Sequence, residues 1–338
     1  MAYNDSILTN YSAYAGLRII GTLLQSFDVD RVMAFVGRLG ESWAARDARR
    51  RQRAIDSLRL SFPEWTDPEI DSVARRSMRH LLQLFIAEVL FTPRLITPDT
   101  WHEYVDLGDI KPGMPHLLSD RPAIFITGHC GNFEVLGFTL GTVGFPMTAL
   151  ARPLDLPKIN DWLMGVRQAR GMSIMTKFGA TERLPRLLEA GGRVAFIADQ
   201  NAGDKGVFVP FFGRLASAYK SIGLLAMRYE VPIICGQARR TDPTRFRYRI
   251  ELKDIIQPQD WADQDDPLYY VTARYTNAIE RMVRDAPEQY FWVHRRWKSR
   301  PAHERAGKPM PKSLARKVAS LPWLNDREVD RVISFGRA

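Results

Sequence analysis

The chain has 338 residues, 45% of them hydrophobic, which is enough for one large domain or two small ones with a substantial apolar core. Its net charge of +10 favours an anionic partner: a membrane surface, a phosphorylated substrate or, less well because no recognised binding motif accompanies the charge, nucleic acid. A solvated basic surface without a partner is the alternative. Two cysteines, Cys130 and Cys235, are too few for a disulfide framework and favour a reducing compartment.

Cofactor motifs are absent from the sequence. The six histidines are scattered without the spacing of metal ligands, so we expect no metal site. Neither a P-loop nor a G-x-G-x-x-G pattern occurs, so we expect no nucleotide cofactor.

The first hundred residues are predicted to be helical, basic and apolar. Met1–Asp5 carries no basic leader, and no cleavage site follows, so we expect no signal peptide. Residues 14–27 are apolar but are interrupted by Arg18 and Gln25, and they fall short of the roughly 20 apolar residues of a spanning helix. A helix that lies in the membrane interface fits this segment better than a spanning helix does. A buried amphipathic helix of the fold fits it as well as the interfacial helix.

A second helix is predicted from Val29 to Ala45, where apolar residues recur at spacings of three and four. The basic run Arg46–Arg53 follows. It is interpreted either as a contact with lipid head groups or as a solvated helical face. Thr66 and Glu69 form a capping box, which predicts a helix from there to about residue 90.

From residue 120 apolar β-type runs alternate with helical segments, which predicts an α/β fold. Strands are expected at 123–127, 147–151, 173–175, 193–198, 231–236, 245–252 (antiparallel) and 289–294. Helices are expected at 133–143, 156–170, 181–189, 220–229 and 268–284, with a glycine-bearing loop before residue 218. This alternation predicts a mixed, mostly parallel central sheet covered by helices.

Three regions are therefore expected. Residues 1–100 form a helical, basic, membrane-associating region, and residues 101–300 form the α/β domain. Residues 301–338 form a loose basic tail with one short helix.

The stretch Ala123–Glu134 is the candidate catalytic centre. Its strand breaks at Gly128, His129 follows at once, and Glu134 lies on the first turn of the next helix. A tight turn would fold the carboxylate back onto the imidazole ring and make His129 a general base. The alternatives are that the pair is a helix cap or a surface ion pair, and that Cys130 is a nucleophile or simply a small buried hydrophobe.

Two further strand ends carry polar residues. Arg152 and Asp199 each follow an apolar run, as His129 does, so we expect all three at one crevice. Gln200 and Gly206 would belong to a polar loop at the same edge, and the apolar run 207–213 would line a hydrocarbon pocket.

These motifs closely resemble those of the bacterial lipid A late acyltransferases, the lauroyl and myristoyl transferases of the glycerolipid acyltransferase superfamily. The hallmark of that superfamily, His-x4-Asp/Glu, stands here as His129 and Glu134. The resemblance extends to the segments 152–153, 199–200, 207–213, 231–233 and 287–301.

The resemblance implies a membrane-associated acyltransferase with His129 as the base and Glu134 as its partner, and without an acyl-enzyme. The donor would be an acyl carrier protein or coenzyme A thioester, and the acceptor a glycolipid hydroxyl at the cytoplasmic face of the inner membrane. Backbone amides near Gly131 and Asn132 would stabilise the oxyanion, and Arg152 would bind a phosphate. The expected substrate-binding residues are Gly131, Asn132, Arg152, Asp199, Gln200 and Gly206.

Several alternatives stay open. A phosphatidylinositol mannoside or a lysophospholipid is an alternative acceptor. A thioester hydrolase that uses Cys130 and a non-catalytic lipid-binding protein are alternatives of a different class.

Overall fold

Short apolar runs form a seven-stranded sheet in the computed structural model, which describes residues 7–176 and 179–335. The strands of the described residues are β1 Val105–Asp106, β2 Ala123–Thr127, β3 Met147–Ala151, β4 Met172–Thr176, β5 Arg193–Ile197, β6 Val207–Phe211, β7 Arg214–Ala218, β8 Ile233–Arg240 and β9 Tyr248–Ile256. Strands β6 and β7 pair with each other and lie outside the seven-stranded sheet. The sheet order is β1-β9-β8-β2-β5-β3-β4, and β8 with β9 is its one antiparallel pair. The predicted mixed, mostly parallel sheet is confirmed.

Strand β2 lies near the middle of the sheet, where both neighbours run parallel to it. Ile124 pairs with Val194 of β5 and Ile233 of β8, and all three side chains are fully buried. Thr127 at the end of β2 pairs with Ile197 at the end of β5. The residues that follow these two strands therefore leave the sheet side by side.

The amino-terminal region is helical, as predicted. Its helices are α1 Ile7–Gln25, α2 Val29–Arg46, α3 Ala48–Ser61, α4 Asp67–Leu82, α5 Val89–Leu95 and α6 Trp101–Tyr104. The capping box is confirmed, because the Glu69 carboxylate accepts from the backbone amide of Thr66 at 2.7 Å. Between α4 and α5 the chain makes a π-helical turn, Gln83–Glu88, which turns Glu88 into the interior.

The remaining helices of the α/β part cover the sheet. They are α7 Met114–Leu118, α8 Phe133–Thr142, α9 Pro157–Gln168, α10 Ala180–Glu189, α11 Lys220–Tyr229, α12 Pro258–Ala262 and α13 Pro267–Asp285. Helix α13 packs against β8 and β9 and buries an apolar stripe that includes Val271, Ile279 and Met282. Helix α8 belongs to a second cluster with residues of α2, α5 and β9.

Two of the expected local structures are wrong. The loop expected before residue 218 contains the antiparallel hairpin β6–β7, with Phe212 and Gly213 at positive φ in its turn. The strand expected at 289–294 is a chain of tight turns after a 3-10 turn, Pro287–Gln289, and Tyr290 makes only one bridge, to Cys130. The segment is apolar because its aromatic side chains are buried in the core, not because its backbone belongs to a sheet.

The expected loose tail is also wrong. After residue 300 the chain forms α14 Ala302–Arg305, α15 Lys312–Ala319 and α16 Asp326–Ser334. Val318 and Val332 pack with Leu215 of β7, and Leu321 is buried in the main core. The tail thus covers the β6–β7 hairpin.

The outer face of the amino-terminal helices is apolar. Among residues 7–176 and 179–335, no helix has both the length and the apolar character needed to cross a membrane. Large apolar side chains at least 43% exposed occur along α1, α2 and their junction: Tyr11, Ile19, Ile20, Leu23, Phe27, Phe35 and Leu39.

Candidate active site

A tight turn connects β2 to α8 and holds His129 at the edge of the sheet. Gly131 lies at φ +60°, and a Cβ atom there would come within 2.2 Å of the carbonyl oxygen of Ala238. Only glycine fits this close approach. The amide of Gly131 donates to the Gln289 carbonyl at 3.1 Å, and the amide of Asn132 donates to the Ala238 carbonyl at 2.7 Å. Both amides predicted as oxyanion donors are therefore already used.

Asn132 is a structural residue rather than a substrate contact. Its side chain is fully buried, and its Oδ1 atom caps α8 by accepting from the amide of Val135 at 2.9 Å. Its Nδ2 atom donates to Glu88, which also forms a buried ion pair with Arg240. Sequence analysis missed this network, because the three side chains come from distant parts of the chain.

His80 of α4 stabilises the same turn by a buried hydrogen bond. Burial lowers the pKa of His80 far below its ordinary value, and the positive charge of Arg240 lowers it further. The ring is therefore neutral, and its Nε2–H donates to the carbonyl oxygen of Gly131 at 3.0 Å.

His129 is paired with Asp199, not with Glu134. Its Nδ1 atom lies 2.7 Å from Oδ1 of Asp199, because β2 and β5 are adjacent and end at the same level. Burial alone would raise the pKa of Asp199, but the charge of His129 and its hydrogen bond outweigh this and hold the pKa below its usual value. An ionised carboxylate only accepts, so the proton of a neutral imidazole lies on Nδ1 and the lone pair on Nε2.

Glu134 makes a bidentate ion pair with Arg167 of α9. This corrects the sequence-based expectation that the Glu134 carboxylate folds back onto His129. Glu134 is the second residue of α8, and its carboxylate contacts Arg167 of α9 instead of the imidazole. Arg167 was not singled out from the sequence, where it is one basic residue on an ordinary helix.

The imidazole of His129 is partly accessible between two aromatic rings. Its side chain is 17% exposed, and the rings of Phe133 and Phe291 lie 5.3 and 5.7 Å from it, centroid to centroid. Nε2 of Gln200 lies 3.5 Å from Nε2 of His129. The structure therefore brings the predicted residues Asp199 and Gln200 to the predicted base.

A large apolar cavity opens beside the site. The space inside it, including its open mouth, is about 1020 Å³, and it runs over the sheet between α7, α8 and α9. Phe133, Glu134 and Arg167 line one part of it, and side chains such as Leu140, Met147 and Leu252 line the rest. Glu134, Arg167 and Glu251 are thus charged groups in a mostly apolar wall.

Other predicted residues lie elsewhere. The Arg152 side chain is 77% exposed, its nearest carboxylate is Asp155 at 3.8 Å, and it does not line the cavity. Gly206 packs closely against β7, since a Cβ atom there would meet Ser217 Oγ at 2.1 Å and the carbonyl oxygen of Ala218 at 2.8 Å. The run 207–213 forms the hairpin and packs into the core instead of lining the hydrocarbon pocket, so that expectation was wrong.

Cys130 is a buried hydrophobe. Its side chain is 1% exposed, and its sulfur lies 3.9 Å from the sulfur of Met282. Burial raises the pKa of the Cys130 thiol far above its ordinary value, and the charge of Asp199 raises it further. A thiol in this state is not an activated nucleophile. Within the described residues, no group of three His, Cys, Asp or Glu side chains is placed to hold a metal ion.

Comparison with known proteins gives a consistent result. The sequence model of the family described as bacterial lipid A biosynthesis acyltransferase matches residues 5–299. The chain is 26% identical over 281 residues to the lipid A biosynthesis palmitoleoyltransferase of Escherichia coli strain K12, which covers 81% of this chain and 87% of that protein. It is 24% identical over 263 residues to a lipid A biosynthesis acyltransferase of Haemophilus influenzae, covering 76% and 78% of the two chains. It is 21% identical over 305 residues to the E. coli lipid A biosynthesis myristoyltransferase, covering 87% of each.

Proposed function

The chain belongs to the bacterial lipid A biosynthesis acyltransferase family and is an O-acyltransferase, and from this premise we propose its substrates and mechanism. It moves a fatty acyl chain from an acyl carrier protein or coenzyme A thioester to a hydroxyl group of a glycolipid resembling a lipid A precursor. The carrier is a substrate, and the reaction needs no further cofactor. The observation that carries the proposal is the His129–Asp199 pair beside a large apolar cavity.

His129 acts as the general base. Its Nε2 lone pair takes the proton of the acceptor hydroxyl while the oxygen attacks the thioester carbonyl carbon. The carbon–sulfur bond then breaks, and the proton on Nε2 passes to the departing thiolate. Asp199 keeps the proton of the resting imidazole on Nδ1 and stabilises the imidazolium form. No acyl-enzyme forms, because the hydroxyl attacks the donor directly.

The oxyanion is stabilised at the start of α8. Among the described residues, the backbone amides of Phe133 and Glu134 have no hydrogen-bond acceptor, whereas the amides of Gly131 and Asn132 are used. The free amides and the positive end of the helix dipole favour negative charge there.

The acyl chain occupies the apolar cavity. The wall of the cavity is mostly hydrophobic, as a site for a hydrocarbon chain requires. With the chain inside, the thioester carbonyl lies at the rim of the cavity beside Phe133, whose ring contacts the ring of His129.

Glu134 keeps a catalytic part in this proposal, although it does not hold His129. A carboxylate offers about four acceptor positions, so Glu134 can accept a hydrogen bond from the acceptor while it remains bound to Arg167. This would orient the acceptor, as the family motif implies.

The enzyme works at the cytoplasmic face of the inner membrane, held there peripherally or by its amino terminus. The exposed apolar side chains of α1 and α2 support this location, and the net charge of +10 favours an anionic lipid surface.

An acyl-transfer assay tests the proposal. The purified chain is incubated with acyl carrier protein and coenzyme A thioesters and with a lipid A precursor, a lysophospholipid or a phosphatidylinositol mannoside. We expect the lipid A precursor to receive an additional acyl chain from the thioester. This product should be lost in His129→Ala. Product from another acceptor would move the assignment to that lipid, and free acid without transfer would indicate a hydrolase. A folded wild-type chain that transfers to none of the three would contradict the proposal.

A further inference from the structure

Three arginines near the site have no acidic partner. Arg49 and Arg53 lie one helical turn apart on α3 and therefore on the same face of the helix. Arg295 follows in the turns that bound the active site. Within the described residues none of the three forms an ion pair, whereas their neighbours Arg50 and Arg51 are paired with Asp47 and Asp71.

The cluster is connected to the catalytic residue by direct contacts. Nη1 of Arg53 donates to the carbonyl oxygen of Val293 at 3.1 Å. The next residue, His294, stacks on Phe291 with ring centroids 6.2 Å apart, and Phe291 lies 5.7 Å from His129. Helix α3 is thus anchored to the segment that forms one side of the site.

The positive charges are close enough to act on one another. Burial lowers the pKa of Arg53, and the charges of Arg295, Arg49 and Arg50 lower it further. The charge of Asp47 acts on Arg53 in the opposite direction, but Asp47 is paired with Arg50. The remaining excess of positive charge attracts anions, and guanidinium groups bind phosphate through paired hydrogen bonds.

We propose that Arg49, Arg53 and Arg295 form the site that binds a phosphate group of the acceptor glycolipid, an inference that rests on the proposed function. The basic run 46–53, which sequence analysis interpreted as a membrane contact or a solvated face, then has a substrate-binding role. It takes over the phosphate-binding role that was expected of Arg152.

The position of the cluster favours the acceptor over the donor. His129 lies between Phe133, which lines the acyl cavity, and Phe291, which leads toward His294 and the arginines. The donor's acyl chain fills the cavity on the Phe133 side. The acceptor therefore approaches from the Phe291 side, where its phosphate meets the three guanidinium groups.

The test compares binding of a phosphorylated and a dephosphorylated probe. The probe is a lipid A precursor in neutral detergent micelles, intact or treated with phosphatase, and binding to the full chain is followed by tryptophan fluorescence. The variant R49Q/R295Q keeps the hydrogen bond of Arg53 to Val293. The matched control, R59Q/R327Q, removes the same charge from an arginine paired with Asp67 and from an exposed arginine of α16.

We expect the wild-type chain to bind the intact probe at least tenfold more tightly than the treated one, since each hydrogen bond to a charged group is worth about a tenfold change or more. R49Q/R295Q should lose this preference, and R59Q/R327Q should keep it. Equal wild-type affinity for both probes, or an equal loss in the two double variants, would overturn the inference.

Kinetics separate this inference from the proposed function. If R49Q/R295Q raises KM for the coenzyme A thioester and not for the acceptor, the cluster binds the donor and the assignment to the acceptor is wrong. Acyl transfer by a wild-type chain that ignores the phosphate would sustain the function and reject the site. Phosphate-dependent binding without transfer from any donor would sustain the site and reject the function.

Discussion

At the scale of single residues, the chemistry depends on which carboxylate reaches His129. Glu134 is five positions away in sequence and Asp199 is seventy, yet Asp199 makes the hydrogen bond. A helix carries Glu134 away from the ring, while adjacent parallel strands end together and bring Asp199 to it. Proximity in the sheet therefore outweighs proximity in the chain.

Asp199→Asn should reduce kcat by about 10²–10⁴-fold, the range of a general-base contribution. An asparagine amide that donates to Nδ1 shifts the imidazole proton to Nε2, which then cannot accept the proton of the acceptor. The acyl-transfer assay measures kcat, and thermal unfolding serves as the folding control.

Glu134→Gln is the matched comparison, because it removes a carboxylate that does not touch His129. It should act through binding of the acceptor and raise KM. A D199N variant with full activity would refute the role assigned to Asp199.

Cys130→Ala should retain most acyl-transfer activity. The thiol is buried and its pKa is raised by burial, so it supplies no nucleophile. The measurement is the transfer rate of the purified variant after circular dichroism has shown that it is folded. Near-complete loss of thioester turnover in a folded variant would instead support the Cys130 hydrolase.

At the scale of elements, the tail and the β6–β7 hairpin hold the loop that carries Asp199. The amide of Ala202 donates to the carbonyl of Ser217 at 3.3 Å, and Nη1 of the buried Arg296 donates to the same carbonyl at 2.5 Å. Two residues earlier on β7, the carbonyl of Leu215 accepts from Nη1 of Arg300 at 2.6 Å. The helices of the tail pack against the outer side of this hairpin.

Leu321→Ala should lower the free energy of unfolding by about 2–5 kcal/mol, the cost of a cavity at a fully buried leucine. Chemical denaturation of the variant and the wild-type chain measures the difference. Leu224→Ala, at a side chain 47% exposed on α11, is the control and should change stability by less than about 0.5 kcal/mol. Equal, small effects would mean that the tail adds nothing to the core.

At the scale of the whole molecule, the protein combines an exposed apolar surface on α1 and α2 with an excess of positive charge. Ile19 and Leu23 are 69% and 60% exposed on the same face of α1, since they are four residues apart. Such a face, on a chain with a net charge of +10, is suited to an anionic bilayer.

The double variant Ile19→Ser, Leu23→Ser should bind vesicles containing an anionic phospholipid at least tenfold more weakly. Each side chain loses part of the roughly 1.5–3 kcal/mol that full burial of a large apolar group provides. Vesicle sedimentation at low and high salt measures this, and Leu224→Ser on α11 is the control. Undiminished binding of the double variant would place the contact elsewhere.

Local patterns in the sequence were sufficient to predict the α/β class, most strands and the position of His129 at the end of a strand. These features depend on local patterns: apolar runs such as Ala123–Thr127, a capping box at Thr66, and a turn residue such as Gly131 at positive φ. Local patterns are readable because they reflect the conformational preferences of neighbouring residues.

Which side chains meet depends on how the distant segments of the chain pack together. The pairing of His129 with Asp199, the pairing of Glu134 with Arg167 and the folding of the tail onto β7 each join segments far apart in sequence. The order of the parallel strands and the direction of α8 set these contacts, and neither is encoded in the spacing of the residues concerned. The same reason explains why Arg152, placed at a strand end by the sequence, points into solvent in the folded chain.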